Sequence, residues 1–305
     1  MNNEDRKFRF VSTEGCRELG RGSHGITFRL NDEQILKVYT DNCKFADIEK
    51  ERLSAKYAFL EGIPSGIAFD TVVTEMGLGV IFELINGHTL GTYMSEHEER
   101  FDELIDKYVA TLKQFHSTKA DTSKFRSSKE IFAENLSNLP EKHFSKKQVQ
   151  SLINIVNAVP DDECFVHNDF HPQNIIITED DNLMVIDMAD VSYGHYLFDF
   201  GSIYLTLVFS GSTSDKVCKR VTGLSSKQAK YLWKETVKKY LGTDDKKVIK
   251  KFEKKCAIIR NLYLAMLITK EANVWSKLEI KLMIMWTKIM LAGRERKCIK
   301  ELSSE

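Results

Sequence analysis

Residues 164–201 constrain this chain more than any other stretch. Two apolar runs, 174–178 and 183–186, flank Glu179-Asp180-Asp181-Asn182, and the pattern predicts a hairpin closed by a polar turn. Asp169 and Asn174 stand just before the first strand, and Asp187 stands just after the second. The outer ends of an antiparallel pair lie side by side, so two carboxylates and a carboxamide are expected to converge. Such donors suit a hard cation. Magnesium takes an octahedral oxygen shell and keeps waters and substrate phosphates in it, so one or two carboxylates and an amide suffice.

A carboxylate left outside that shell could accept the proton of an attacking hydroxyl. Phosphoryl transfer divides its labour in this way: one Asp orients the nucleophile while an Asn and a second Asp hold metal against the nucleotide. The order His167-x-Asp169-x4-Asn174, with Asp187 thirteen residues further on, is that of the catalytic and metal-binding loops of kinases. An acidic hairpin around one satisfied buried Asp would not explain this order.

With 305 residues, 42% of them hydrophobic, the chain can bury a core as one large or two ordinary domains. Lys plus Arg and Asp plus Glu both number 44, so no net field draws nucleic acid or anionic membrane to the whole surface. No nucleic-acid or membrane partner is expected. Cys16, Cys43, Cys164, Cys218, Cys256 and Cys298 are scattered without zinc-ligand spacing and read as reduced thiols, mostly in the core. The charged N-terminus has no apolar segment of signal length, and no run is long enough for a membrane span. A cytoplasmic protein is expected.

Residues 8–40 read as strands: 8–11, 16–19, 26–30 and 34–39, with Asn31-Asp32 as a turn. Gly20, Gly22 and Gly25, with Ser23 between them, form G-x-G-x-x-G. Three glycines at this spacing arise by chance in about 4% of chains with this glycine content, so context decides their meaning. A dinucleotide fingerprint needs a helix after the glycines and an acidic residue about 20 positions on. Asp41 meets the second requirement, but 26–30 alternates as a strand and leads through a turn into another, so no helix fits. The glycines are expected at a hairpin tip, with backbone N–H groups folded over nucleotide phosphates. Lys37 then falls inside an apolar strand, where a buried ammonium requires a partner. Residues 45–62 read as a helix stopped by Gly62-Ile63-Pro64. Glu51 shares a face with Ile48, Ala55 and Ala58, whereas Glu49 points roughly 200° away. Glu51 is therefore the expected partner, with Glu49 in reserve.

Residues 71–75 and 79–84 complete a five-stranded small lobe, and Ile85-Asn86-Gly87-His88 breaks the last strand. The connector 82–87, with Glu83 and Ile85, offers unpaired backbone to an adenine edge. The division is thus a nucleotide-binding lobe over 1–85 and a catalytic, acceptor-binding lobe over 88–305. Helices are expected over 89–98, 102–116, 128–136, 145–158, 197–209, 225–241, 246–270 and 275–292, the sixth opened by a Ser225-x-x-Gln228 capping box. The Lys-rich segment 246–255 could suggest a nucleic-acid patch, but Val248, Ile249, Phe252 and Cys256 give it an apolar stripe and a solvated face. His116 and His167 read as buried or loop-bracing residues rather than bases, and Asp199 as a grip on the catalytic-loop amides.

The assembled stretches are Leu36-Lys37-Val38-Tyr39, Glu49-x-Glu51, Gly62-Ile63-Pro64, Phe82 to Gly87, Phe115-His116-Ser117-Thr118, His167 to Asn174, and Ile186 to His195. Together they resemble the aminoglycoside phosphotransferase and choline kinase superfamily, the small-molecule branch of the protein-kinase-like fold. Among its members the sequence looks most like a group of uncharacterised bacterial proteins often labelled aminoglycoside phosphotransferases. The resemblance covers residues 16 to about 205, while the last hundred match only as helices. It implies an α+β bilobal fold, with a small antiparallel lobe carrying one main helix and a larger helical lobe. It also implies a kinase that moves the γ-phosphate of ATP, with GTP left open, to a hydroxyl of a small-molecule acceptor. By this resemblance Asp169 is the base, Asn174 and Asp187 are magnesium ligands, and Lys37 binds phosphate. Two positions depart from the group: Met188-Ala189 follow Asp187 in place of Phe-Gly, and Tyr196 stands where proline is common. A protein Ser/Thr kinase and a silent nucleotide-binding module are the alternatives. Only eleven residues separate Asp187 from Asp199, too few for a peptide-docking activation loop, and Lys37, Asp169, Asn174 and Asp187 are all present.

Overall fold

The alternation over 25–39 folds as the expected hairpin. β3 (Gly25–Arg29) pairs antiparallel with β4 (Gln34–Tyr39), setting Thr27 opposite Lys37. The computed structural model describes residues 8–22, 25–40, 43–270, 277–291 and 294–304. Gly25 is forced by packing, because a Cβ there would stand 2.1 Å from the Val38 carbonyl oxygen. With β1 (Arg9–Phe10), β2 (Arg17–Arg21), β5 (Ala68–Thr74) and β6 (Gly77–Glu83), the hairpin makes a sheet ordered β1-β5-β6-β4-β3-β2. The segment read as a strand over 8–11 contributes β1, which adds in parallel at the edge, Arg9 beside Val72 and Phe10 beside Val73, so the sheet has six strands and not five. Ile26, Phe28, Leu36, Val38, Val72 and Ile81 bury one side, each side chain worth about 1.5–3 kcal/mol relative to exposure.

The other side takes α1 (Phe45–Leu60), whose buried stripe is Ile48, Glu51, Ser54, Ala55 and Ala58. Ile48 packs against Tyr39 and Val80. The helix stops at Glu61, and Gly62 at φ +85 supplies the left-handed turn that follows.

Contacts divide the chain into two units: Met1–His88 with Asn174–Asp190, and Thr89–Gln173 with Val191–Glu305. The hairpin expected to carry the metal ligands, placed from sequence in 88–305, groups by its contacts with the first unit. Its strands are β9 (Ile175–Thr178) and β10 (Leu183–Val185), paired with Ile175 opposite Val185. The segment expected to break the sheet instead forms β7 (Gly87–Thr89), which lies beside β9. Gly87 is required there, because a Cβ would meet the Ile177 carbonyl oxygen at 2.1 Å.

The second unit is helical: α2 (Leu90–Glu96), α3 (Phe101–Ser117), α4 (Ser128–Ser137), α5 (Lys146–Asn157), α6 (Leu197–Ile203), α7 (Ser210–Thr213), α8 (Asp215–Thr222), α9 (Ser226–Leu241), α10 (Lys246–Lys270), α11 (Lys277–Leu291) and α12 (Glu295–Ser303). The Ser225 and Gln228 capping box opens α9, and Ser145 with Gln148 does the same for α5. Short strands β8 (Phe165–Val166) and β11 (Ser192–Tyr193) pair antiparallel. The helix expected over 197–209 is α6 followed by a π-helical segment, Tyr204–Phe209, and then α7. Helices α8 and α12 were not anticipated. Residues 275, 276 and 292 of the expected last helix lie outside the described residues. In α10, Phe252 and Cys256 are buried, but Val248 is 45% exposed and does not join the core. All six cysteines are free, and Cys164, Cys218, Cys256 and Cys298 are buried. Among the described residues no helix is long and apolar enough to cross a membrane.

Candidate active site

In the first unit, Lys37 projects from the middle of β4 and meets two carboxylates. Its Nζ lies 2.6 Å from Glu51 Oε1 and 3.4 Å from Asp187 Oδ1. Glu51 reaches it from the buried stripe of α1. Glu49, held in reserve on sequence grounds, is engaged elsewhere: Arg52 forks onto it at 3.0 Å and the Thr71 hydroxyl donates to it. Burial pushes the Lys37 ammonium down, but the Asp187 and Glu51 charges outweigh it and raise its pKa, so it stays charged at neutral pH. Burial also raises the Tyr39 phenol, whose ring lies 5.4 Å from Lys37 Nζ.

Lys37, Glu51 and Asp187 line a cavity of about 280 Å³, which also takes in Gly22, Gly25, Phe82, Glu83, Ile85 and Asn174. Gly20 lies within β2 next to a bulge, opposite Thr27. The turn beyond it closes with the Gly22 amide donating to the Gly25 carbonyl at 2.9 Å. Ser23 lies outside the described residues. At Gly20 and Gly22 a Cβ would meet nothing within 4 Å, so packing does not dictate glycine there. Along the connector, Glu83 Oε2 accepts the Ile67 amide at 3.0 Å, so this side chain braces the backbone. The Ile85 amide makes no hydrogen bond among the described residues.

The hairpin ends are tied together, with the Ile186 amide donating to the Asn174 carbonyl at 2.9 Å and the Val185 amide to Pro64 at 2.7 Å. Asn174 is buried at the end of a 3-10 turn, and Asp187 has φ +61 with its side chain 40% exposed. A non-glycine residue in the left-handed region is strained, and such strain concentrates at functional positions. One carboxylate and one carboxamide match a cation that takes the rest of its shell from water and phosphate. Among the described residues no three His, Cys, Asp or Glu side chains converge as a closed metal site.

In the second unit, the loop carrying Asp169 is held from several sides. Fully buried Asp199 accepts the His167 amide at 3.0 Å, the Asn168 amide at 2.6 Å and His116 Nε2 at 2.9 Å. Because a carboxylate only accepts, Nε2 of His116 carries the proton, and its Nδ1 faces the Tyr240 hydroxyl at 2.9 Å. His167 is buried and its Nδ1 accepts the Asp169 amide at 3.2 Å. The Asp169 side chain remains 43% exposed, with His171 Nε2 3.4 Å from its Oδ2. Three braces were not anticipated from sequence. Asn168, at φ +65, donates to Ser192 Oγ at 2.7 Å and accepts from the Tyr263 hydroxyl at 2.9 Å, while Tyr108 donates to the Phe170 carbonyl at 2.9 Å. The first had a signal, since asparagine beside aspartate tolerates the left-handed region. Tyr108 and Tyr263 had none.

An antiparallel-rich sheet unit and a helical unit, with the lysine and glutamate pair in one and the aspartate loop in the other, define an α+β protein-kinase-like fold. The sequence matches the phosphotransferase enzyme family, APH, over residues 15–217, and the chain belongs to that family. It is a phosphotransferase. Solved structures share its fold over nearly the whole length. The ADP-bound aminoglycoside phosphotransferase APH(2'')-Ib is 20% identical, with 94% of each chain covered and a TM-score of 0.58. The streptomycin–ATP ternary complex of APH(2'')-IIa is 21% identical, with 93% of each covered and a TM-score of 0.58. Aminoglycoside phosphotransferase APH(4)-Ia is 12% identical over 91% of this chain and 93% of that one, also at 0.58. At these identities the likeness is one of fold. Comparison with curated proteins gave no match.

Proposed function

We propose that the chain transfers the γ-phosphate of ATP to a hydroxyl of a small-molecule acceptor, with Asp169 as base and Asn174 and Asp187 as the residues that hold magnesium. The observation that carries this reading is Lys37, kept charged beside Glu51 and Asp187 in a cavity bordered by the glycine turn and the Glu83 to Ile85 connector. Lys37 would pair with phosphate oxygens while Glu51 fixes its direction. Gly22 and Gly25 border the same cavity, and the Ile85 amide is available to an adenine ring nitrogen. Magnesium, when bound, supplies neutralisation of the charge on the transferring phosphate. Asp169, exposed yet held by a buried network, is suited to orient an acceptor hydroxyl and take its proton as the bond to phosphorus forms. All six thiols are free, which supports a cytoplasmic enzyme.

A screen of ATP consumption, with and without magnesium, against aminoglycosides, choline, sugars and hydroxy-amino acids tests the reading, with phosphorylated products identified by mass. The expected result is magnesium-dependent turnover of at least one class, abolished in Asp169→Ala. A protein that binds no nucleotide in calorimetry, with or without magnesium, would sink it.

A further inference from the structure

The π-helical segment after α6 changes which side chains share a side. At about 100° per residue, positions five apart on an α-helix diverge by about 140°. The i→i+5 turn over Tyr204–Phe209 instead returns the first and last residues toward one another. Both rings face Arg260 of α10, whose Cζ lies 5.4 Å from the Tyr204 centroid and 5.2 Å from the Phe209 centroid. A guanidinium held against two rings is pre-organised without being neutralised.

Arg260 has no counter-ion among the described residues. No carboxylate among them forms an ion pair with it, and its Nε is buried without a hydrogen-bond acceptor. Burial lowers its pKa and the Tyr204 phenol opposes that shift. Unpaired buried donors are uncommon in folded chains and call for an explanation, of which an absent ligand is one.

The position ties this arginine to the catalytic loop. Arg260, Tyr263 and Leu267 are part-exposed residues of α10 at i, i+3 and i+7, a single helical face. The Tyr263 hydroxyl donates to Asn168, the residue before Asp169. Arg260 thus sits about 4.5 Å along the helix axis from a residue that touches the loop carrying the base.

We propose that Arg260 binds the acceptor, and that the acceptor carries an anionic group, carboxylate or phosphate, beside the hydroxyl that is phosphorylated. The inference rests on the function proposed above and narrows its substrate class to hydroxy acids, sugar acids and phosphosugars. A polycationic aminoglycoside would meet an unpaired guanidinium with like charge.

The test uses the full-length protein with magnesium and ATP and acceptor sets that differ in charge: glycerol, glycerate and glycerol 3-phosphate, and glucosamine, glucose and glucuronate. The anionic members should be turned over in preference. Arg260→Met keeps the stem against the rings and should raise KM for the anionic members by about 10–100-fold, the worth of a charged hydrogen bond, with kcat nearly unchanged. Arg260→Lys should recover part of the loss. In parallel, calorimetric titration with glucuronate and glycerol 3-phosphate without nucleotide reads anion binding independently of turnover. Equal or better turnover of neutral or cationic acceptors overturns the proposal. So does an unchanged KM in Arg260→Met, or the absence of any anion binding that Arg260→Met removes. If anion binding depends on Arg260 but ATP does not bind at all, the phosphotransferase reading fails and the anion site stands.

Discussion

Asp199 accepts the Asn168 amide at 2.6 Å and thereby holds a left-handed residue immediately before the proposed base. The same carboxylate takes the His167 amide and the His116 ring, so one buried charge satisfies three donors. Asn at this position offers one oxygen and presents an NH2 group to the remaining donors. Asp199→Asn should therefore lose about 1–3 kcal/mol of stability for each buried donor left unsatisfied. Urea unfolding measures this. Turnover of the folded fraction should drop while nucleotide KM holds, because the loop rather than the Lys37 cavity is released. A loss below about 1 kcal/mol would show that the loop is held by other means.

His195 gives the fold an acid sensitivity of predictable sign. Burial, with the His116, Lys255 and Lys129 charges assisting and Asp162 opposing, lowers its pKa from 6.5 to about 4. Its Nδ1 accepts the Leu197 amide at 3.3 Å, a bond that protonation would remove. Between about pH 6.5 and pH 4 the unfolded chain binds a proton here that the folded one does not. Stability should thus be complete above the upper limit and fall as pH drops through that window. The loss is at most about 3 kcal/mol and smaller to the extent that water screens the ring. His195→Gln should flatten the slope of urea midpoint against pH over this interval. An unaltered slope would assign the acid loss to other groups.

What sequence alone conveyed, and what it did not, follows from how local each cause is. The strands around 25–39 and 175–185 declare themselves by alternation and polar turns, and α9 by its Ser225 and Gln228 box. The strand Gly87–Thr89 was hidden because its glycine answers to the Ile177 carbonyl, ninety residues away in the chain. A strand over 8–11 was legible, but the parallel pairing of β1 with β5 was not, because two exposed residues carry no mark of their partner. The grouping of 174–190 with the first unit rests on bonds such as Val185 to Pro64 that no local pattern encodes. Lys37 and Glu51 were paired correctly in space because helical phase is local information. Arg260 was missed because one arginine in a Lys-rich amphipathic helix looks solvated, and a π turn in another element decides otherwise.

Lys37 and Glu51 lie 2.6 Å apart, so removing either disturbs the other. Lys37→Ala leaves Glu51 buried without its cation, and Glu51→Ala frees the lysine to swing toward Asp187. Both should raise the KM for ATP, and the double variant should fall short of the sum of the two effects by about 1–2 kcal/mol of coupling. Glu49→Ala should leave KM for ATP unchanged and act on stability alone, because its partners are Arg52 and Thr71. Steady-state kinetics on the four variants would decide. A KM effect confined to Glu49→Ala would assign the lysine's orientation to the wrong glutamate.

Asp169 and Asp187 belong to different units and are proposed for different jobs, so their amide variants should fail differently. Asp187→Asn removes a charged oxygen donor at a residue whose backbone is fixed at φ +61 and also withdraws a carboxylate from Lys37. It should weaken ATP binding in the presence of magnesium more than in its absence, and turnover should fall with it. Asparagine also tolerates the left-handed region, so the backbone should persist and the loss reports on charge. Asp169→Asn leaves the Lys37 cavity untouched, because this carboxylate lines none of it. Affinity for magnesium and ATP should stay near that of the parent, while kcat drops by roughly 10²–10⁴, the contribution usual for a positioned base. A loose transition state asks more for orientation of the hydroxyl than for full proton abstraction, so a residual rate is expected rather than none. Calorimetry with and without magnesium, paired with turnover on an acceptor whose phosphorylated product has been identified, separates the two roles. Full turnover in Asp169→Asn would remove it as the base, and an ATP affinity in Asp187→Asn that responds to magnesium as the parent's does would remove Asp187 from the metal site.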